Sequence, residues 1–174
     1  VAPTVLDALV AAGKRVIAIG KVSDIFAGQG ISQSIPASGL DALIDTTIRT
    51  FREAPDDSLV FVNLVDFDSE YGHRRDVAGY AAALERFDTR LPELLATRGE
   101  GDLMLFSADH GNDPTWPGSD HTRECVPLLA LGGALRAGSA GLREGFADLG
   151  QTLAQHFGLA PLAHGRALER IAND

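Results

Sequence analysis

Apolar residues along the chain recur at two spacings, and each spacing predicts a different kind of element. Apolar positions at helical spacing predict helices over residues 4–12, 40–52, 77–97 and 146–157. Short, nearly continuous apolar runs predict buried strands over residues 16–19, 59–65, 103–106 and 126–131. Residues 25–39 are rich in Gly, Ser and Gln and show no period, so they are predicted to be a loop. Together these elements favour an α/β fold, a mostly parallel sheet with helices on both faces.

Three short polar stretches lie close to the predicted strands and carry candidate metal ligands. Asp68 and His73 follow the second strand, Asp109 and His110 follow the third, and His121 precedes the fourth. Ligands bind beyond the carboxyl ends of strands in parallel sheets, so these stretches are expected to meet at one edge. Carboxylates and neutral imidazoles bind Mn²⁺, Zn²⁺ or Fe²⁺. Because Asp109 and His110 are adjacent, their side chains diverge and could serve two metals about 3.5–4 Å apart.

Composition narrows the class of protein. A chain of 174 residues with 45% apolar residues fits one domain with a real core. The net charge of −9 argues against nucleic-acid binding but not against a phosphorylated substrate, because bound divalent cations invert the local charge. The single Cys125 cannot form an internal disulfide, and no apolar run is long enough for a membrane span. A cytoplasmic protein without a membrane partner is therefore expected.

Three motifs resemble those of the phosphopentomutase family, which belongs to the alkaline phosphatase superfamily. The motifs are IGKVSDIFAGQGI at residues 19–31, VDFDSEYGHRRD at 65–76 and SADHGNDPTWPGSDHTRE at 107–124. The resemblance implies an alkaline-phosphatase-like core, present in part. It also implies an isomerase of nucleoside catabolism that interconverts ribose 1-phosphate, or the 2-deoxy sugar, with the 5-phosphate. In the family this reaction runs through a phospho-enzyme and a sugar bisphosphate on two Mn²⁺ ions.

The resemblance also implies roles for individual residues. Asp68, His73 and His121 correspond to the ligands of one metal, and Asp109 and His110 to ligands of the other.

The family uses further parts that have no counterpart in this sequence. These are one more Asp ligand, the Thr that carries the phosphoryl group, and the cap domain that recognises the sugar. No catalytic nucleophile is therefore assigned within the chain. Residues 1–174 are expected to be the C-terminal portion of the core domain, without the N-terminal core segment and the cap, and to be inactive alone.

Two alternatives remain open. One is another phosphatase or sulfatase of the same superfamily, and the other is a metal-binding fragment without catalysis. On spacing alone, aspartates and histidines also occur together in ordinary turns.

Four charged side chains near the motifs are assigned supporting roles. Lys21, just past a strand end, is a candidate contact for the distal phosphate or a sugar hydroxyl, because its ammonium is a compact cation. Asp66 is interpreted as an acceptor that orients an imidazole N–H. Arg74 and Arg75 are interpreted as a solvated pair that satisfies neighbouring acidic groups rather than phosphate.

Overall fold

The computed structural model describes residues 2–169. Its helices are α1 (Val5–Ala11), α2 (Val22–Ile25), α3 (Leu40–Glu53), α4 (Val77–Leu95) and α5 (Ala147–His156), with a π-helical turn at Phe67–Gly72. Its strands are β1 (Arg15–Ile19), β2 (Gln33–Ile35), β3 (Ser58–Val62), β4 (Leu103–Ser107) and β5 (Leu128–Gly132). The four predicted helices and four predicted strands are all present. None of the helices in the described part is long and apolar enough to cross a membrane.

A parallel sheet forms the centre of the fold, as predicted. Its strand order is β2-β1-β3, and Ile17 of β1 lies opposite Gln33 on one side and Val60 on the other. The last four residues of β1 are almost fully buried. Strand β2 lies within the segment predicted to be a loop. Two of its three residues are polar, so no apolar pattern marks it in the sequence. It forms a strand because its backbone pairs with β1.

Strands β4 and β5 pair with each other in the antiparallel direction. The alternation of helices and strands in the sequence does not predict this antiparallel pair, because it favours parallel neighbours throughout the sheet. The connection between them, residues 108–127, contains no helix in the structure. A parallel pair needs a crossover connection, usually a helix, whereas an antiparallel pair needs only that the chain turn back.

Two clusters of buried apolar side chains form the core. One joins α3 to α4 through Leu40, Ile44, Ile48, Ala83 and Leu94. The other joins α1 to β1 through Leu6, Leu9 and Val16, with Leu59 and Phe157 packed against it. Strand β3 is less buried than its continuous apolar run predicts, and Phe61 is 37% exposed. Within residues 2–169 its only strand neighbour is β1, so its other edge is not covered by a strand.

Candidate metal centre

The π-helical turn, which begins a few residues after β3, places the first two candidate ligands. In this polar stretch the backbone N–H of His73 donates to the carbonyl of Asp68 at 2.9 Å, five residues earlier. A bond of this spacing defines a π-helix, a form found often at functional sites. It holds His73 one turn beyond Asp68, so both side chains leave the backbone in the same region.

Asp68 lies between two imidazoles. Its Oδ1 atom is 3.4 Å from Nε2 of His73 and 3.4 Å from Nε2 of His121. Ligand atoms that lie about 2.1 Å from a tetrahedral ion are about 3.4 Å from one another, so each imidazole nitrogen lies at a suitable distance from Asp68. The three residues whose ligand atoms all lie close to one another are, however, Asp68, His110 and His121, without His73. The donor set of one carboxylate and neutral imidazoles also suits a divalent metal. The structure therefore brings together Asp68, His73 and His121.

His110 lies beside the same group. Its ring stacks on that of His121, with the centroids 3.7 Å apart and an angle of 27°. Ligand atoms of Asp68, His110 and His121 all lie within 4.8 Å of one another. The Nε2 atom of His110 is also 3.6 Å from Oδ2 of the exposed Asp109. His110 thus contacts both predicted ligand sets, and the division into two metal sites stays a prediction.

A small backbone bridge brings the last two polar stretches together. Gly111 and Thr122 form an isolated antiparallel bridge, in which Thr122 N–H donates to Gly111 O at 3.0 Å. The Thr122 hydroxyl also accepts from the backbone N–H of Asp113 at 2.7 Å. The long loop after β4 therefore folds back on itself, which explains how His121 reaches the site although it precedes a strand.

Two further contacts orient the candidate ligands. Asn112 donates through Nδ2 to Oδ1 of Asp68 at 2.6 Å. Nδ1 of His73 lies 2.5 Å from the carbonyl oxygen of Ser119. A proton on Nδ1 would be donated to that carbonyl, which leaves Nε2 with a free lone pair toward Asp68. Sequence reasoning missed Asn112, although its position two residues after His110 was a usable signal.

The structure corrects the role assigned to Asp66. Its Oδ2 atom accepts from the backbone N–H of Leu40 at 2.6 Å, so it satisfies the first turn of α3 rather than an imidazole. The N-cap residue of that helix, Gly39, has no side chain that could do this.

The two adjacent arginines behave differently from each other. Arg74 is exposed and pairs with Glu70 at 2.8 Å, as predicted. Arg75 does not join a solvated pair. Its guanidinium turns toward the loop of residues 112–120, where Asn112 Oδ1 accepts from it at 2.7 Å.

Lys21 lies at the carboxyl edge of the parallel sheet. It follows β1, whose last residue Ile19 is level with Val62 of β3, and the π-helical turn begins a few residues after Val62. Its side chain is exposed, and within residues 2–169 its ammonium group forms no ion pair or hydrogen bond. Its role in substrate binding stays a prediction.

The candidate centre is open to solvent. The side chains of His110, His73 and His121 are 31%, 37% and 48% exposed. This exposure leaves the imidazoles accessible to an ion and to the oxygens of a substrate. Nearby, burial raises the pKa of Tyr80 and the negative charge of Asp68 adds to the effect, so this phenol stays neutral.

Comparison with known proteins places the chain in a family. The model of the Metalloenzyme superfamily matches residues 9–161. The chain is 58% identical over 169 residues to phosphopentomutase of Shewanella pealeana, which covers 97% of this chain and 42% of the relative. It is 60% identical over 164 residues to phosphopentomutase of Shewanella denitrificans, which covers 94% of this chain and 40% of the relative. The chain thus spans about two fifths of the length of these curated relatives.

A solved structure supports the fold. The crystal structures of Leishmania mexicana phosphoglycerate mutase at low cobalt concentration match with a TM-score of 0.71 and 20% identity, over 94% of this chain and 38% of that one. At this identity the match concerns the fold alone. The family model covers all of the residues that build the site, from the end of β1 to the loop after β4. The chain therefore belongs to the Metalloenzyme superfamily.

Proposed function

We propose that this chain provides the metal-binding part of a phosphopentomutase core, which interconverts ribose 1-phosphate, or the 2-deoxy sugar, with the 5-phosphate. The convergence of His73 and His121 on Asp68 at 3.4 Å carries the proposal. The names of the Shewanella relatives support it. With this activity, the protein would act on pentose phosphates in nucleoside catabolism in the cytoplasm.

The proposed ligands divide into two sets on two Mn²⁺ ions. Asp68, His73 and His121 hold one ion, and Asp109 and His110 contribute to the other. Carboxylate and imidazole without thiolate suit Mn²⁺. When bound, two divalent ions polarise phosphoryl oxygens and lower the pKa of an attacking hydroxyl.

The chain's own residues prepare that chemistry. The Ser119 carbonyl and the Asn112 amide fix the orientation of His73 and the Asp68 carboxylate before an ion arrives. Lys21, at the same edge of the sheet, is proposed to hold the distal phosphate or a sugar hydroxyl through its ammonium group. No residue of 1–174 is assigned as the Thr that would carry the phosphoryl group between the two sugar positions. We propose that this Thr corresponds to a residue in the part of the Shewanella relatives that this chain does not match.

A chimera tests the proposal. In the Shewanella pealeana relative, the segment that this chain matches would be replaced by the chain itself, since the two are 58% identical. We expect the chimera to convert ribose 1-phosphate to ribose 5-phosphate in a coupled assay. Asp109→Ala should reduce turnover by at least about 100-fold, because it removes a proposed ligand of the second ion.

The control is Asp88→Ala, which removes an exposed carboxylate of α4 that is not among the proposed ligands and should leave turnover unchanged. A folded chimera that releases inorganic phosphate without forming the 5-phosphate would indicate a phosphatase. A folded chimera with neither activity would contradict the proposed function.

A further inference from the structure

Arg75 has an unusual backbone conformation for its residue type. It follows the π-helical turn with φ of 55°, in the left-handed region that residues with a side chain seldom adopt. Its side chain is half-buried, whereas that of the adjacent Arg74 is exposed. The left-handed conformation turns the two neighbouring side chains to different surroundings, one toward Glu70 and one toward the loop of residues 112–120.

The guanidinium of Arg75 donates to five oxygen atoms, a set of contacts that we call the Arg75 clasp. The acceptors are Gly72 O at 2.9 Å, Asn112 Oδ1 at 2.7 Å, Asp113 O at 3.0 Å, Gly118 O at 2.5 Å and Asp120 O at 2.5 Å. Four of these oxygens belong to a loop that lies 37 to 45 residues further along the chain. The clasp therefore joins the segment that carries Asp68 and His73 to the segment that leads to His121.

The Arg75 clasp reaches the candidate ligands through two intermediates. Asn112 accepts from Arg75 through Oδ1 and donates to Asp68 through Nδ2 at 2.6 Å, so the arginine fixes which way the amide points. Ser119, whose carbonyl faces Nδ1 of His73, lies between Gly118 and Asp120, and both of these carbonyls are held by Arg75. One guanidinium thus orients the groups that contact a carboxylate and an imidazole of the site.

We propose that Arg75 is a positioning residue of the metal centre, which sets the spacing of Asp68 and His73 through Asn112 and the Ser119 carbonyl. The inference rests on the proposed function, because it takes Asp68, His73 and His121 as metal ligands. The three nitrogen atoms of the planar guanidinium reach acceptors that diverge over a loop, with Nη1 sharing its two N–H groups among three oxygens, whereas the ammonium of lysine has three donors at one point. Arginine is therefore needed here for its shape as well as its charge.

Two substitutions separate this role from a role in the turn alone. Arg75→Lys keeps the charge and loses the fork. Arg75→Gly relieves the left-handed backbone, which glycine adopts readily, and removes the clasp. If Arg75 only formed a turn, Arg75→Gly would be neutral for metal binding. The matched control is Arg74→Ala, one position earlier, which removes only an exposed ion pair with Glu70.

The experiment measures the dissociation constant of Mn²⁺ alone for the 174-residue chain, from the electron paramagnetic resonance signal of the free ion. Thermal unfolding of the metal-free variants is followed in parallel. We expect Arg75→Lys and Arg75→Gly to weaken Mn²⁺ binding by about 10–100-fold, as loss of a group that orients ligands typically does. Arg74→Ala should bind as the unsubstituted chain does.

A double-mutant cycle tests whether Arg75 acts through Asn112. Asn112→Ala alone should weaken Mn²⁺ binding, and adding Arg75→Lys should weaken it by less than the product of the two separate effects. If the two effects on the dissociation constant multiply, Arg75 and Asn112 act independently, and the proposed route through Asn112 is overturned.

A measurement on the unsubstituted chain keeps the inference testable if the variants unfold. In the metal-free chain, nuclear magnetic resonance should show slow solvent exchange of the Arg75 Nε proton, which donates to Gly118 O, and faster exchange at exposed Arg74. Fast exchange at Arg75, or Mn²⁺ binding that is unchanged in Arg75→Lys, would overturn the inference. Failure of the unsubstituted chain to bind Mn²⁺ at all would instead contradict the proposed function.

Discussion

Asp68 is the residue at which the contacts of the site meet. Its Oδ1 atom accepts from the Asn112 amide at 2.6 Å and lies 3.4 Å from an imidazole nitrogen of His73 and of His121. Imidazole binds a metal only when it is neutral, so a proton and a metal ion compete for the same nitrogen atoms. The carboxylate favours whichever cation is bound, and the Asn112 amide keeps it in place in both cases.

Gly72 allows Asn112 to approach Asp68, which leads to a prediction for one methyl group. A Cβ atom added at Gly72 would lie 2.5 Å from Nδ2 of Asn112, so Gly72→Ala should displace that amide. We expect Mn²⁺ binding by the chain to weaken by about 10-fold or more, measured by calorimetric titration.

Gly145→Ala is the matched control for this prediction, because a Cβ atom there would meet nothing within 4 Å. It should leave the Mn²⁺ affinity unchanged. Equal affinities for the two variants would argue that the Asn112 contact has no part in metal binding.

At this scale, the sequence identified residue types that bind metals but not the groups that orient them. Asp68, His73 and His121 were singled out because carboxylates and imidazoles are typical metal ligands, although they also occur together in ordinary turns. Asn112 and Arg75 were not, because an amide and a guanidinium form hydrogen bonds in many settings. Their roles depend on which carbonyl oxygens the folded chain brings within reach, 37 residues or more away.

Helix α5 is tied to the segments on either side of it by one carboxylate. Oδ2 of Asp148 accepts from Nε of Arg143 at 2.7 Å, and its Oδ1 accepts from the backbone N–H of Arg166 at 2.8 Å. The backbone N–H of Arg166, with help from Arg143, lowers the pKa of Asp148. The charged form of this side chain therefore holds the two flanking segments against the first turn of α5.

The lowered pKa of Asp148 leads to a prediction about stability and pH. A carboxylate with a lower pKa in the folded state stabilises that state above its unfolded pKa of about 3.9, and this contribution is lost as the pH falls through the folded pKa. Asp148→Asn should therefore reduce the free energy of unfolding by about 1–2 kcal/mol near neutral pH. The reduction should shrink as the pH falls below about 4. Urea unfolding of both proteins across this range measures it.

Asp88→Asn provides the comparison, because Asp88 is an exposed residue of α4. It should change the free energy of unfolding by less than about 0.5 kcal/mol at either pH. A constant difference between Asp148→Asn and the unsubstituted chain at all pH values would show that the charge of Asp148 has no role.

At the scale of elements, the sequence predicted which segments are helices and strands better than how they pair. Strands β4 and β5 are predicted from their apolar residues, but their antiparallel direction depends on the path of residues 108–127, whose Gly, Pro and Asp residues show no period. The π-helical turn was missed for a similar reason. Its six residues place apolar and polar side chains without a repeating spacing, so only its backbone hydrogen bonds identify it.

At the scale of the whole molecule, the described chain assembles a cluster of candidate ligands without the rest of its relatives' length. The chain spans 40% to 42% of the Shewanella phosphopentomutases, yet the three polar stretches converge within it. The Arg75 clasp and the Gly111–Thr122 bridge join these stretches to one another.

Metal binding and turnover should therefore separate in the isolated chain. We expect the 174-residue chain to bind Mn²⁺ weakly and not to interconvert pentose phosphates, because the family resemblance leads us to expect the phospho-accepting Thr, one Asp ligand and the sugar-binding cap outside residues 1–174. A coupled assay and a Mn²⁺ titration on the same sample measure both properties. Robust turnover by the chain alone would mean that a nucleophile lies within residues 1–174.

The π-helical turn also limits how the chain length can vary at this site. His73 follows Asp68 by five residues, the spacing that a π-helical hydrogen bond closes, while an α-helical turn closes a spacing of four. Deletion of one residue between them would reduce the spacing to four, which an α-helical turn closes, so the two side chains would still lie close together. Insertion of one residue would increase the spacing to six, which neither an α-helical nor a π-helical turn closes. Between these two residues, a deletion should therefore disturb the site less than an insertion does.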